Sequence, residues 1–206
     1  MFRFAPEGYP FILVFVFITI FTVIFVRSWM AIFPLLLTFF MFFFFRDPER
    51  IIPGGENIFV SPADGKIILI QEVYEGEEGF IEISIFMSPL NVHVNRAPCD
   101  GVVESVVYTP GKFFSAFKPK ASLQNENIAM LLDTKHGRVL IRQVAGSIAR
   151  RAVCRVKPRD TLKKGERYGI IKFSSRLDVY LPKDARIRVK LNDKVKAGET
   201  IIGVIE

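Results

Sequence analysis

The chain has 206 residues, half of them hydrophobic, with 28 Lys and Arg against 21 Asp and Glu for a net charge of +7. A mean hydropathy of +0.30 is higher than a soluble surface of this size tolerates, so one globular domain plus a strongly apolar segment is expected. The positive balance suits an anionic surface, and the absence of any basic and aromatic recognition motif argues against nucleic acid.

Residues 1–46 hold 14 of the 21 phenylalanines, and within them Phe11 to Val26 (16 residues) and Trp29 to Phe45 (17 residues) carry no charge. As helices these runs reach roughly 24–26 Å against a hydrocarbon core of ~30 Å, a shortfall that thinning, snorkelling arginines or a shallow hairpin would absorb. A cleaved signal peptide fits poorly, because the apolar stretch is too long, a second follows at once and no small-residue cleavage site separates them. Residues 1–46 are therefore expected to form a two-helix membrane anchor, with a single bent or interfacial anchor as the alternative, and residues 47–206 one further domain. A hairpin returns the chain to its starting side. Arg46 and Arg50 at its exit then put the domain on the cytoplasmic face of the cell membrane, with Arg27 between the runs as a mild counter-signal. The anchor carries +2 and the domain +5, which draws the domain toward anionic lipid.

Beyond Asn57 short β-runs are broken by Gly, Pro and Asp: Ile67–Val73, Phe80–Phe86, Val102–Tyr108, Ile128–Thr134, Arg138–Val144, Gly169–Phe173, Asp178–Leu181, Arg186–Leu191 and Thr200–Val204. A spacing of about ten residues without a long 3.6-residue period predicts a mainly β domain of the sandwich or barrel type with hairpin turns. Leu162 to Gly169 and Val195 to Gly203 share a Lys-x-Gly turn pattern. Biotinyl and lipoyl carrier domains and zinc endopeptidases of the lysostaphin type use similar turns, a likeness of scaffold rather than of activity.

Two histidines narrow the search for chemistry. His136, in Asp133-Thr134-Lys135-His136-Gly137, has the composition of a solvated hairpin turn. His93 lies in Asn91-Val92-His93-Val94-Asn95, where alternation sets it opposite Val92 and Val94 and so away from the expected core. Asp64 precedes Gly65 and reads either as a turn former or as a partner for an imidazole. Ala145-Gly146-Ser147 follows a strand-like run; it reads as an ordinary turn, or as a glycine carbonyl open to attack by the next hydroxyl. Cys99 and Cys154 lack CxxC spacing and are expected to be free thiols.

Four segments occur in order: Phe44-Phe45-Arg46-Asp47-Pro48-Glu49-Arg50, Ser61-Pro62-Ala63-Asp64-Gly65-Lys66-Ile67, Met87 to Pro98, and Gly146-Ser147-Ile148-Ala149-Arg150-Arg151. Together they resemble the short, single-chain phosphatidylserine decarboxylases over nearly the whole length. The resemblance implies that Asp64, His93 and Ser147 converge, that the chain cuts itself between Gly146 and Ser147, and that Ser147 becomes a covalent pyruvoyl cofactor. The products would be a large chain, 1–146, and a small chain, 147–206. It further implies that the pyruvoyl ketone condenses with the amine of an anionic serine phospholipid and stores the electron pair left by carbon dioxide. Phosphatidylethanolamine would be released after His93 returns a proton. The family's comparable loop near the substrate corresponds to Lys112, Phe113 and Phe114, phenylalanines for lipid and an ammonium for phosphate. Longer members carry a second histidine where this chain has Arg96, so His93 is left to serve cleavage, proton return or both. No metal is expected, because neither histidine has another two residues away as a lysostaphin-type zinc site requires. A carrier domain would need a Met-Lys-Met or Asp-Lys-Ala turn, which does not occur. Assembly into a homo-oligomer is compatible with the sequence.

Overall fold

A computed structural model of the protein describes residues 3–26, 28–76, 78–111, 125–146, 151–172 and 175–206. The chain forms two compact units, Met1–Glu49 and Arg50–Glu206.

In the first unit, α1 (Tyr9–Phe25) and α2 (Ile32–Phe44) follow one another through a short 3-10 turn, Ser28–Ala31. They pack with the Thr19 and Thr38 hydroxyls 3.1 Å apart. The ends are tied where Ala5 N–H donates to the Phe45 carbonyl and Asp47 N–H to that of Arg3, both at 2.8 Å. That pairing stops α2 early, because residues 45–47 give their backbone to residues 3–5 instead of to another helical turn. The two expected helices are present, and they differ in length. Pro6–Phe25, 20 residues, is long and apolar enough to cross a membrane by length and composition, whereas Trp29–Phe44 is shorter. Phe17 at 68%, Phe25 at 70% and Phe33 at 70% exposure show apolar faces that this unit does not cover.

The second unit is mainly β. Its eight-stranded sheet is built from β2 (Gly65–Glu75), β3 (Glu78–Met87), β5 (Gly101–Thr109), β6 (Asn127–Thr134), β7 (Gly137–Val144), β9 (Thr161–Leu162), β11 (Ser175–Pro182) and β13 (Lys194–Val195), in the order β13-β2-β3-β11-β7-β6-β5-β9. Register shifts at Ile67/Leu69 and Val103/Ser105 bend it, as bulges do, so that it curls. Among the described residues there are also two three-stranded sheets: β1 (Ile58–Val60), β14 (Ile201–Val204) and β12 (Arg186–Ile187); and β4 (Val94–Arg96), β10 (Arg167–Ile171) and β8 (Ala152–Cys154). Strand alternation sends Ile67, Ile83, Ile85, Met130, Leu132, Ile141, Leu177 and Val179 into one core with Phe59, Leu162, Tyr168 and Ile202.

The two Lys-x-Gly turns meet each other. Gly165 and Gly198 adopt φ of 78° and 76°, a conformation that side chains resist, and a Cβ on Gly198 would lie 3.7 Å from the Gly165 Cα. Gly165 N–H donates to Ala97 and Gly198 N–H to Ser61, both at 2.8 Å. The turns thus brace the segment that leaves β4 and the one that leads into β2.

Candidate active site

β7 runs out at Val144, whose neighbours are Asn127 of β6 and Arg176 of β11. The next two residues remain buried: Ala145 is 0% exposed and Gly146 is enclosed as well. Ala145 N–H donates to the Glu126 carbonyl at 2.9 Å, and its own carbonyl accepts from Asn125 Nδ2 at 2.8 Å. Ser147, the expected nucleophile, lies outside the described residues, as do Lys112, Phe113 and Phe114.

His93 is completely buried, together with Val92 and Val94, which corrects the expectation that it faces away from the core. Residues 91–93 are not a strand, so alternation does not apply to them; Ile171 of β10 donates its N–H to the His93 carbonyl at 3.3 Å. The motif preceding the histidine is a tight turn. Asn91 Oδ1 accepts from Ser88 N–H at 2.9 Å and from Ser88 Oγ at 2.8 Å, while Asn91 N–H donates to the Ser88 carbonyl. That turn aims the Asn91 carbonyl at His93 Nδ1, 2.9 Å away. A carbonyl oxygen only accepts, so Nδ1 carries the proton and the neutral ring keeps its basic lone pair on Nε2.

One amide side chain joins the sheet that follows the histidine to the strand that precedes Gly146. Gln143 of β7 donates through Nε2 to Asn95 Oδ1 of β4 at 2.8 Å and to the Val153 carbonyl of β8 at 3.4 Å, and both amide side chains are buried. Asn95 sits two residues after His93 and Gln143 four before Ser147. Through Gln143 and Asn95 the strand that leads to Ala145-Gly146 is thus hydrogen-bonded to the strand that follows His93.

Asp64 is engaged elsewhere. Its carboxylate accepts from Arg50 Nη2 at 2.9 and 3.0 Å and from the Ala197 N–H at 2.8 Å, and Glu199 reaches Arg50 at 3.6 Å. Arg50, Asn95, Gln143 and Asn125 all lie within or beside segments the sequence makes conspicuous. Nothing in their spacing announces these pairings, which cross between strands distant along the chain. His136 is half-buried with its ring edge toward Phe59 and Nε2 3.3 Å from the Glu56 carbonyl, a hairpin residue braced against the domain. Cys99 and Cys154 are free; burial, with Asp100 adding to it, pushes the Cys99 thiol up to about 12.

A depression of about 790 Å³ on the large sheet is lined by Phe80, Val107, Leu131, Leu140, Arg142 and Tyr180, among others. These alternate with core residues along their strands, so it opens on the face turned away from Gln143 and Asn95. Size alone does not mark it as the reaction centre.

Fold and site define a class: a small β domain with a buried, tautomer-fixed histidine whose strand is hydrogen-bonded through Asn95 and Gln143 to a strand with a buried end, carrying an apolar helical unit at its N-terminus. The family model described as phosphatidylserine decarboxylase matches residues 37–203. The chain is 48% identical over 204 residues to the phosphatidylserine decarboxylase proenzyme of Geotalea uraniireducens (strain Rf4), covering 98% of this chain and 96% of that one. It is also 48% identical to the proenzyme of the same description from Syntrophus aciditrophicus (strain SB), over 97% and 96% of the two chains. With that from Desulfotalea psychrophila the identity is 47% over 98% and 96%. The chain belongs to the phosphatidylserine decarboxylase family and is a carboxy-lyase of phospholipid metabolism.

Proposed function

We propose that this protein converts phosphatidylserine to phosphatidylethanolamine after cutting itself between Gly146 and Ser147 and turning Ser147 into a pyruvoyl group. The observation that carries the reading is His93, fully buried and fixed by the Asn91 carbonyl with Nε2 as its basic nitrogen, two residues before the Asn95 that Gln143 of β7 holds. The relatives are named proenzymes, which supports conversion of a precursor.

In the cleavage, Ser147 Oγ adds to the Gly146 carbonyl carbon while its proton passes to His93 Nε2. The carbon–nitrogen bond then breaks and the Ser147 nitrogen takes that proton, leaving an ester. Loss of the Ser147 α-proton with departure of the Gly146 carboxylate gives dehydroalanine; its imine tautomer takes up water and releases ammonia, so the small chain begins with a ketone. The residues present fit such a group: a glycine without a Cβ and a buried histidine that can both accept and return a proton. When formed, the pyruvoyl group supplies the electrophilic carbonyl that holds the substrate amine and takes up the electron pair left by carbon dioxide. His93 returns the proton to the carbon that lost the carboxylate.

Asp64 enters this proposal as a positioning carboxylate that fixes Arg50 and the Ala197 turn. Lys112 with Phe113 and Phe114 would meet the phosphate and acyl region of the substrate. The cytoplasmic face is proposed from the arginines at the exit of the anchor. The family membership sets the zinc endopeptidase and carrier-domain readings aside.

Denaturing electrophoresis with intact-mass analysis of the active protein tests the proposal. Two chains, 1–146 and 147–206, are expected, the second without an N-terminal amine and inactivated by hydroxylamine, and Ser147→Ala should stay whole and inactive. An active preparation that remained one uninterrupted chain would end the reading.

A further inference from the structure

We infer that Asn125 is a positioning residue for self-cleavage, holding the peptide that immediately precedes the scissile one; this rests on the cleavage reading proposed above. Asn125 is 1% exposed, and its Nδ2 donates to the Ala145 carbonyl at 2.8 Å. Because a carbonyl only accepts, the amide group has to present its nitrogen there. The Ala145 N–H is held as well, by the Glu126 carbonyl at 2.9 Å. Both flanking peptide planes of Ala145 are thereby fixed, and a planar peptide leaves only φ and ψ of Gly146 to set the direction of the Gly146 carbonyl.

The clamp has its own support. Asn127, 7% exposed, donates through Nδ2 to the Asn125 carbonyl at 3.0 Å and sits opposite Val144 in the β6–β7 ladder. The chain of contacts runs Asn127 side chain, Asn125 backbone, Asn125 side chain, Ala145 carbonyl. Regular strand pairing would satisfy a carbonyl with a backbone N–H; here a side chain takes that place at the last residue before the glycine. A freely turning Gly146 would present its carbonyl to Ser147 Oγ only part of the time, whereas one held from its N-terminal side has two torsions left to settle.

The test is the rate at which full-length chain, made by cell-free synthesis with vesicles of phosphatidylglycerol and phosphatidylethanolamine, converts to two chains on denaturing gels. Wild type, Asn125→Ala, Asn125→Asp and Ser147→Ala are followed in parallel. Asn125→Ala should slow conversion about tenfold or more, equivalent to ~1.4 kcal/mol of activation free energy. Asn125→Asp separates positioning from mere support of the fold, because a protonated carboxyl donates to the Ala145 oxygen as the amide does, whereas the carboxylate cannot. The ratio of its rate to the wild-type rate should therefore rise as the pH is lowered from about 8 to about 5.5. A lost structural contact would leave that ratio flat.

Folding is checked by urea melts in the uncut Ser147→Ala background; if Asn125→Ala does not fold there, the pH ratio of Asn125→Asp decides. Conversion of Asn125→Ala at the wild-type rate, or a flat ratio for Asn125→Asp, overturns the inference while cleavage itself stands. Wild type that never converts, or Ser147→Ala that does, removes the cleavage reading and the inference together.

Discussion

A side chain's neighbours decide which of its atoms are free to react. His93 is instructive because one backbone oxygen, placed by the Ser88–Asn91 turn, selects its tautomer. Tyr168 shows the opposite situation. Its ring is completely buried beneath the core, burial drives its ionisation well above the usual phenol range, and its hydroxyl finds no partner among the described residues. An enclosed hydroxyl without a hydrogen bond costs about 1–3 kcal/mol, while the ring itself contributes fully to packing. Tyr168→Phe is therefore expected to raise stability by about 1 kcal/mol, read as an increase in the urea midpoint at an unchanged slope. A fall of that midpoint would show that the hydroxyl has a function in the fold. Cys99 is governed by the same burial. With its thiol pushed up to about 12, only about one molecule in ten thousand is thiolate near pH ~8, so iodoacetamide should spare Cys99 in the folded protein and modify it once urea unfolds the chain.

Strands and turns place charged groups where single residues could not hold them. Arg50 and Asp64 have side chains only 7% and 12% exposed, at 2.9 Å, and the same carboxylate satisfies Ala197 N–H. Removing one member of such a pair strands the other away from water, typically at about 3–5 kcal/mol. Asp64→Ala leaves the Ala197 amide unpaired and Arg50 only the longer contact with Glu199 at 3.6 Å, whereas Arg50→Met leaves Asp64 its contact with Ala197. In the uncut Ser147→Ala chain the urea midpoint should therefore fall further for Asp64→Ala than for Arg50→Met; equal losses would mean that the Ala197 contact is dispensable. The legibility of elements follows their length. Runs such as Phe80–Phe86 and Arg138–Val144 alternate long enough to declare a strand, and β3 and β7 contain them. β4, β8, β9 and β13 have two or three residues each, too few for any period, and their existence depends on partners far along the chain. Alternation therefore fails at His93, whose backbone is held by β10, more than seventy residues later. The segments around Asp64 and His93 stand out in the sequence, but the Arg50 and Asn91 contacts that fix the two side chains depend on how turns close.

At the scale of the molecule, burial of ionisable groups couples folding to pH. Cys99, Tyr168 and Tyr180 all have their ionisation raised, in each case first by burial, and Tyr180 further by the Asp178 charge. The large sheet reinforces this on its non-core face. Arg176 meets Asp178 at 2.5 Å and Glu82 at 3.4 Å, and the Tyr180 hydroxyl donates to Glu82 at 3.2 Å, so a phenolate there would face two carboxylates. Each of the three groups is neutral in the folded state over a range in which the unfolded chain has already released its proton. Between the two values the unfolded state binds fewer protons, and stability must fall as pH rises. The contribution is intact below about pH 8.5, begins to go as the unfolded Cys99 thiol ionises, and is lost faster above about pH 10 when the tyrosines join, with up to about 1.4 kcal/mol per pH unit for each fully buried group. Urea midpoints of the Ser147→Ala chain at constant ionic strength should thus hold level from about pH 7 to 8.5 and drop steeply toward about pH 11. Cys99→Ala and Tyr168→Phe should each flatten that descent, the first from its onset and the second only in its upper part. A midpoint indifferent to pH across this range would mean that water reaches these groups in the folded protein, and the close packing of the core around Tyr168 would have to be given up.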